Sequence, residues 1–330
     1  MTTTGAQTYS DAVTLGTGTT LTSTGSGNVT LASTVNGAQT LVVNTSGASN
    51  FGGIVGGTTA LTSLTTDAPG TSSSVGVITT GATTFNENTT LAGIYTNTGF
   101  TDVGTTALAG ATTINAGATA ITFTGTVNGG RALTLNTTGA TILTSAVGGV
   151  TPLASLTTNA GGTTAINGGT VATTGAQTYG DAVTLGTNTT LTGVGSTFAG
   201  TVNGLFSLTV NDSGTMTFGG VVGGTNALTT LTTNAGGTTV ISGGTVTTSG
   251  AQTYNDAVTL GANATLNGVG QHLCWHGQRT LRPDSERQCH DDLWRAGGWD
   301  ERPDDPDDQR GRPDGDQRRG GEDLGRADLQ

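Results

Sequence analysis

The residues best equipped for chemistry stand near the C-terminal end, as His272-x-Cys274-x-His276 followed by Cys289-His290. Imidazole and thiolate are the ligands zinc prefers, and these five lie within metal-binding reach along the chain. Their spacing matches no standard zinc module. The other candidates are the seven acids of residues 1–270: Asp11, Asp67, Glu87, Asp102, Asp181, Asp212 and Asp256. A glycosidase sets two carboxylates across a sugar bond at a defined separation. Here Asp11, Asp181 and Asp256 recur in one context, Tyr-x-Asp-Ala-Val, and read as turn residues repeated with their unit. The same region contains no His, Cys, Lys or Trp, so most nucleophiles and bases are missing. Gly-Gly pairs lead into Thr-rich strands and not into helices, which argues against phosphate binding. The Gly-Gly-x-Gly-x-Asp nonapeptide of calcium β-rolls does not occur. No catalytic, cofactor-binding or metal residue is assigned on these grounds.

The Cys/His cluster also sits in foreign surroundings. Residues 271–330 hold all three Trp, all three His, both Cys, fifteen of the 22 acids and ten of the eleven Arg. The codon table explains this. Gln271 to Arg279 can be written CAG CAC CTT TGC TGG CAC GGT CAA CGG. Without its first base the string reads Ser-Thr-Phe-Ala-Gly-Thr-Val-Asn-Gly, which is the sequence at 196–204, one repeat unit earlier. Out of frame, Leu codons become Pro and Thr codons become Asp. The Leu-Thr-Thr-Leu-Thr-Thr of 228–233 therefore returns as Pro303-Asp304-Asp305-Pro306-Asp307-Asp308. The tail is a repeat read one base out of register from Gly270 onward, and its metal-like cluster is an accident of the shift. High charge, Pro and no hydrophobic alternation predict disorder over 271–330.

What must position any site in residues 1–270 is a Thr/Gly-rich chain. Across the whole sequence 33% of residues are hydrophobic and 10% charged, with 57 Gly. Residues 1–270 carry a single Arg, Arg131, and a net charge of −6. Thr and Val suit a pleated strand and Gly suits turns, so many short strands are expected. The acidity speaks against nucleic acid, whose phosphates need clustered Lys or Arg. No apolar run approaches the ~20 residues of a membrane-spanning helix. Met1 to Gln7 has neither the basic nor the apolar region of a signal peptide, so export of this chain alone is not expected.

Repetition organises the region. Gly-Ala-Gln-Thr-Tyr stands at 5–9, 175–179 and 250–254. Thr-Val-Asn-Gly (34–37, 126–129, 201–204), Val-Gly-Gly (55–57, 147–149, 222–224) and Leu-Thr-Thr (64–66, 156–158, 231–233) share the same two intervals, the first longer than the second. Units run over about 5–80, 81–174, 175–249 and, in part, 250–270, the second carrying about seventeen extra residues. A shorter period lies inside: Phe198-x-Gly200-x-Val202-x-Gly204 returns as Phe218-x-Gly220-x-Val222-x-Gly224. Val183 and Leu185 flank Thr184, and Leu208 and Val210 flank Thr209, which is the period of two of a strand with one apolar face. The unit from Gly175 to Ser249 therefore reads as about four turns of a parallel β-helix, and the insertion as about one whole turn, which a solenoid accepts because each turn touches only its neighbours. The competing arrangement is a string of small antiparallel sandwiches with Thr-Val-Asn-Gly as a hairpin turn.

The motifs Thr-Gly-Ala-Gln-Thr-Tyr-x-Asp-Ala-Val-Thr-Leu-Gly, Thr-Val-Asn-Gly and Phe-Gly-Gly-x-Val-Gly-Gly-Thr-x-Ala-Leu-Thr resemble repeats of large bacterial filamentous-haemagglutinin-like adhesins and autotransporter passengers. The resemblance covers residues 1–270 and, out of frame, the tail. It implies an all-β, right-handed parallel β-helix (β-solenoid) serving as a stalk of a secreted or outer-membrane surface protein in adhesion or biofilm. It implies no cofactor and no catalysis. Partners expected are other copies through the solenoid ends, and host-surface or matrix glycans and proteins. Two other functions compete: an ice- or crystal-surface-binding solenoid, because outward Thr is abundant though interrupted by Asn, Asp and Gly, and a polysaccharide-acting β-helix enzyme.

Overall fold

The computed structural model describes residues 1–273 and the backbone of the strand Arg287–Gln288. Among the described residues there are strands and no helices. Every strand pairing is parallel, which excludes the antiparallel sandwiches. The chain winds as a β-solenoid of about 14 turns. Each turn gives one short strand to each of three faces. Ala182–Leu185 lies on the first face, Thr189–Gly193 on the second and Thr197–Phe198 on the third. The next turn then stacks Val202–Asn203, Leu208–Asp212 and Thr215–Phe218 on these three in order.

Alternation along each strand builds the core. Leu208–Asp212 turns Leu208, Val210 and Asp212 inward and leaves Thr209 and Asn211 outside. Inward side chains stack on their counterparts one turn away, as in the valine ladder Val35, Val55, Val77 and in Val202 under Val222. Phe198 and Phe218 stack the same way, as their twenty-residue spacing predicts.

Turn length varies more than the inner period suggests. It falls to seventeen residues where Thr84 pairs with Thr101 and rises to twenty-four where Val222 pairs with Val246. The long turns carry the Val-Gly-Gly loops. The short ones lose a corner loop altogether: Thr71–Ile78 and Asn88–Thr96 bend from the second face directly onto the third, with register shifts at Ser74/Gly76 and Leu91/Gly93.

This variation corrects the expectation of four turns per unit. From Tyr179 the third-face ladder passes through Phe198, Phe218 and Ile241, three turns on. The chain then crosses the first face at Val246 and reaches Tyr254 on the second. The unit from Tyr179 to Tyr254 is three and two-thirds turns. The longer interval, from Val35 to Val127, is four and two-thirds, so the insertion is one whole turn, as expected. In consequence Thr-Val-Asn-Gly sits on the third face at Val35, the second at Val127 and the first at Val202.

The solenoid also runs past Gly270. Gln271–Leu273 pairs in register with Gln252–Tyr254, so the first three residues past Gly270 still build a rung. Gln271 is buried, its Nε2 donating to the Leu266 carbonyl at 3.0 Å, and Leu273 falls on an inward position that the repeat fills with Phe198. From Cys274 onward, the disorder expected of the tail falls on residues outside those described, apart from the backbone of Arg287–Gln288.

Candidate functional site

Of the Cys/His cluster only His272 lies among the described residues, where it is exposed on the outer side of its strand beside Thr253. Cys274, His276, Cys289 and His290 lie outside them. Among the described residues no three His, Cys, Asp or Glu side chains converge as a metal site requires.

The acids are spent on the solenoid itself. Asp181 accepts the Gly162 N–H at 2.8 Å, and Asp256 accepts the hydroxyls of Thr233 and Thr239 at 2.7 and 2.9 Å. Glu87 accepts the hydroxyl of Ser72. These contacts reveal one device in three copies: an acid two residues after an inward aromatic (Phe85, Tyr179, Tyr254) reaches back one turn to a Gly-x-Ser/Thr segment. Because each unit ends two-thirds of the way round a turn, the three clamps occupy three different corners. Glu87 sits between the first and second faces, Asp181 between the third and first, Asp256 between the second and third. Asp67 accepts the Thr45 N–H at 2.8 Å. Asp212 accepts three backbone N–H groups, from Gly195, Ser196 and Gly214 at 2.7 to 2.8 Å. Burial pushes the Asp212 carboxyl up, but those donors outweigh it and hold it below the usual carboxylate range. Asp11 is exposed, and Asp102 is buried against Thr89 and Thr106. Asp181 and Asp256 are thus interior ties, and not only the turn residues that their recurrence indicates.

Two surface features remain as candidates for recognition. The first is threonine. On the third face Thr113, Thr134, Thr157, Thr178, Thr197 and Thr217 follow one another in register without interruption. Shorter files are Thr65–Thr84–Thr101–Thr122 on the first face and Thr190–Thr209–Thr232–Thr253 on the second. The interruptions expected from the sequence lie between these files. The files are one residue wide over most of their length: beside Thr134 stand Ala132 and Asn136 on the same strand, and a second outward threonine appears only locally, as Thr192 beside Thr190 and Thr215 beside Thr217.

The second is the loop after each Val-Gly-Gly, exposed at 57–59, 149–152 and 224–226. Each is held by the Asn of Thr-Val-Asn-Gly one turn earlier. Asn36 accepts the N–H groups of Thr58 and Thr59, Asn128 those of Val150 and Thr151, Asn203 those of Thr225 and Asn226, at 2.9 to 3.3 Å. The two motifs are therefore halves of one structure. Sequence reasoning missed this pairing, although their fixed separation of about one turn signals it. It also missed the buried Gln of Gly-Ala-Gln-Thr-Tyr. Gln177 donates to the Thr192 carbonyl at 2.8 Å and accepts the Tyr179 hydroxyl at 2.8 Å, tying two turns together inside the core.

No family model, curated protein or solved structure matches the chain.

Proposed function

We propose that the chain is a length of stalk from a large bacterial surface or secreted adhesin of the filamentous-haemagglutinin-like kind, acting by shape and repetition without catalysis. The observation that carries this reading is the single file of turns with its ties between successive turns at the corners. At ~4.8 Å per turn, about fourteen turns span roughly 65–70 Å. Six of the seven acids of residues 1–270 are engaged with backbone or hydroxyl donors of the solenoid, which supports a structural role. The stalk's parent is exported, and its partners are matrix or host-surface glycans and proteins together with other copies of the stalk meeting edge to edge at terminal turns. Nucleic acid and membrane insertion form no part of the reading. No helix among the described residues is long and apolar enough to cross a membrane.

The direct test attaches the purified chain to beads and measures retention under flow on surfaces coated with matrix proteins or cell-surface glycans. Retention no greater than that of albumin-coated beads would remove the adhesive part of the reading. Antibodies against the chain should label intact cells or culture supernatant of the source bacterium.

The uninterrupted threonine file of the third face favours one other reading, binding to ice or another crystal surface, and its width of one residue over most of its length counts against it. Thermal hysteresis in dilute solution decides between them.

A further inference from the structure

The middle of the solenoid buries two carboxyl groups, each with one oxygen left without a hydrogen-bond partner. On the inner side of the second face Ser49, Ser72, Thr89 and Thr106 stack in register, a hydroxyl column closed by Val29 at one end and Val127 at the other. Glu87 and Asp102, 3% and 0% exposed, enter this column from the corner beside the first face. Ser72 donates to Glu87 Oε1, and Thr89 and Thr106 donate to Asp102 Oδ2. Glu87 Oε2 and Asp102 Oδ1 have no partner. The hydroxyls of Ser49 and Thr66, both 0% exposed, face the same glutamate and are unpartnered too.

The surroundings of Glu87 Oε2 decide what is missing. A methyl group on Gly70 would meet Glu87 Oε2 at 2.3 Å, the Gly47 carbonyl oxygen at 2.7 Å and the Thr45 carbonyl oxygen at 2.8 Å. Two carbonyl oxygens thus lie on the same side of the chain as Glu87 Oε2, and their negative ends disfavour a carboxylate there and favour the acid. The charged and titratable groups facing the pair are Asp67 toward Glu87, Glu87 and Asp102 toward each other, and Tyr95, whose hydroxyl donates to the Ser74 carbonyl at 3.0 Å. No cation is among them within the described residues: residues 1–270 have no Lys, and their one Arg, Arg131, is exposed.

We propose that Glu87 and Asp102 form a proton-binding pair built into the two shortest turns, neutral while those turns are packed, and that their ionisation loosens the strands from Thr71–Ile78 to Thr106–Asn115. An isolated buried carboxylate costs far more than its acid form, so burial favours the proton. Burial pushes Asp102 up to about 7 and raises Glu87 as well. With folded values above the unfolded ones, the stabilisation is complete below the ordinary carboxylate range and is lost as pH rises, through about 7 for Asp102. The stalk then holds a segment that is firm in acid and yields near neutrality.

Hydrogen exchange of the full chain, corrected for the intrinsic rate at each pH, tests this. Between about pH 5 and about pH 8.5, protection over 71–108 should fall about tenfold or more beyond any fall over 215–256, the stretch that holds the Asp256 clamp. The double variant Glu87→Gln, Asp102→Asn should abolish that difference. Equal pH dependence in the two stretches, or an unchanged difference in the double variant, overturns the proposal. Protection at high pH restored by added calcium or sodium also overturns it, assigning the site to a cation. Should the double variant not fold, infrared titration of the unaltered chain serves: a protonated-carboxyl band persisting at pH 6 and fading through neutrality supports the pair, and its absence at pH 6 refutes it.

Discussion

Tyr179 lies flat on Phe198, their ring centroids 4.7 Å apart and their planes within 11°. Phe198 lies in turn on Phe218 at 5.8 Å and 2°. The three rings hold one inward position in three consecutive turns, so each face of Phe198 is covered by a neighbour. Phe198→Ala opens a void touching two turns, and a buried Phe→Ala change costs about 3–5 kcal/mol. Loss of protection centred on 177–219, with 20–60 little altered, is the expected exchange pattern. Uniform loss along the chain would show that the turns unfold as one block.

Gly223 has φ +69°, and a methyl group there would stand 2.1 Å from the Thr247 carbonyl oxygen of the next turn. Gly223→Ala should therefore destabilise the last turns sharply, whereas Gly16→Ala, with open space around it, should be nearly neutral. Thermal melts of the two variants make the comparison, and similar midpoints would contradict it.

Thr71 pairs with Asn88, so residues 71–87 make one complete turn. Deleting them joins Gly70 to Asn88 and returns each later strand to its own face. That variant should give the circular dichroism of a shorter solenoid and melt cooperatively. Removing only 71–79 puts later strands on the wrong face and should abolish protection downstream of the cut.

Asp212 has the opposite pH behaviour to the buried pair. Its folded pKa lies below its unfolded one, so its contribution is present above the ordinary carboxylate range and is lost as pH falls through the folded value. Asp212→Asn should lower local stability around Ser196 and Gly214 by about 1.5–3 kcal/mol at neutral pH. The difference from the unaltered chain should vanish in strong acid, as an acid titration followed by exchange over 193–217 can show.

The architecture was legible because its signal is local. Val183-Thr184-Leu185 and Phe198-x-Gly200-x-Val202 state which side chains point inward and how far apart the turns are, and the structure agrees on both. The phase of the unit was not legible. Whether one unit makes four turns or three and two-thirds depends on loops such as Gly223 to Ala227, whose length varies without altering the apolar pattern. The buried acids were hidden for a related reason. Glu87 follows Phe85 as Asp181 follows Tyr179, but that likeness is visible only once their shared position at a corner is known. An acid beside Asn and Thr otherwise looks solvated. The threonine files escaped because register, and not sequence order, brings Thr113 beside Thr134.

A unit that ends two-thirds of the way round a turn has a consequence for how such a protein changes over generations. Duplication or loss of one such copy by recombination does more than lengthen or shorten the rod. It turns everything beyond the junction by a third of a revolution about the axis, so the loop secured by Asn203 comes to point where a neighbouring corner faced before. Only a change by three copies leaves the distal surface in its original direction. The far end of the solenoid thus registers the number of its repeats modulo three.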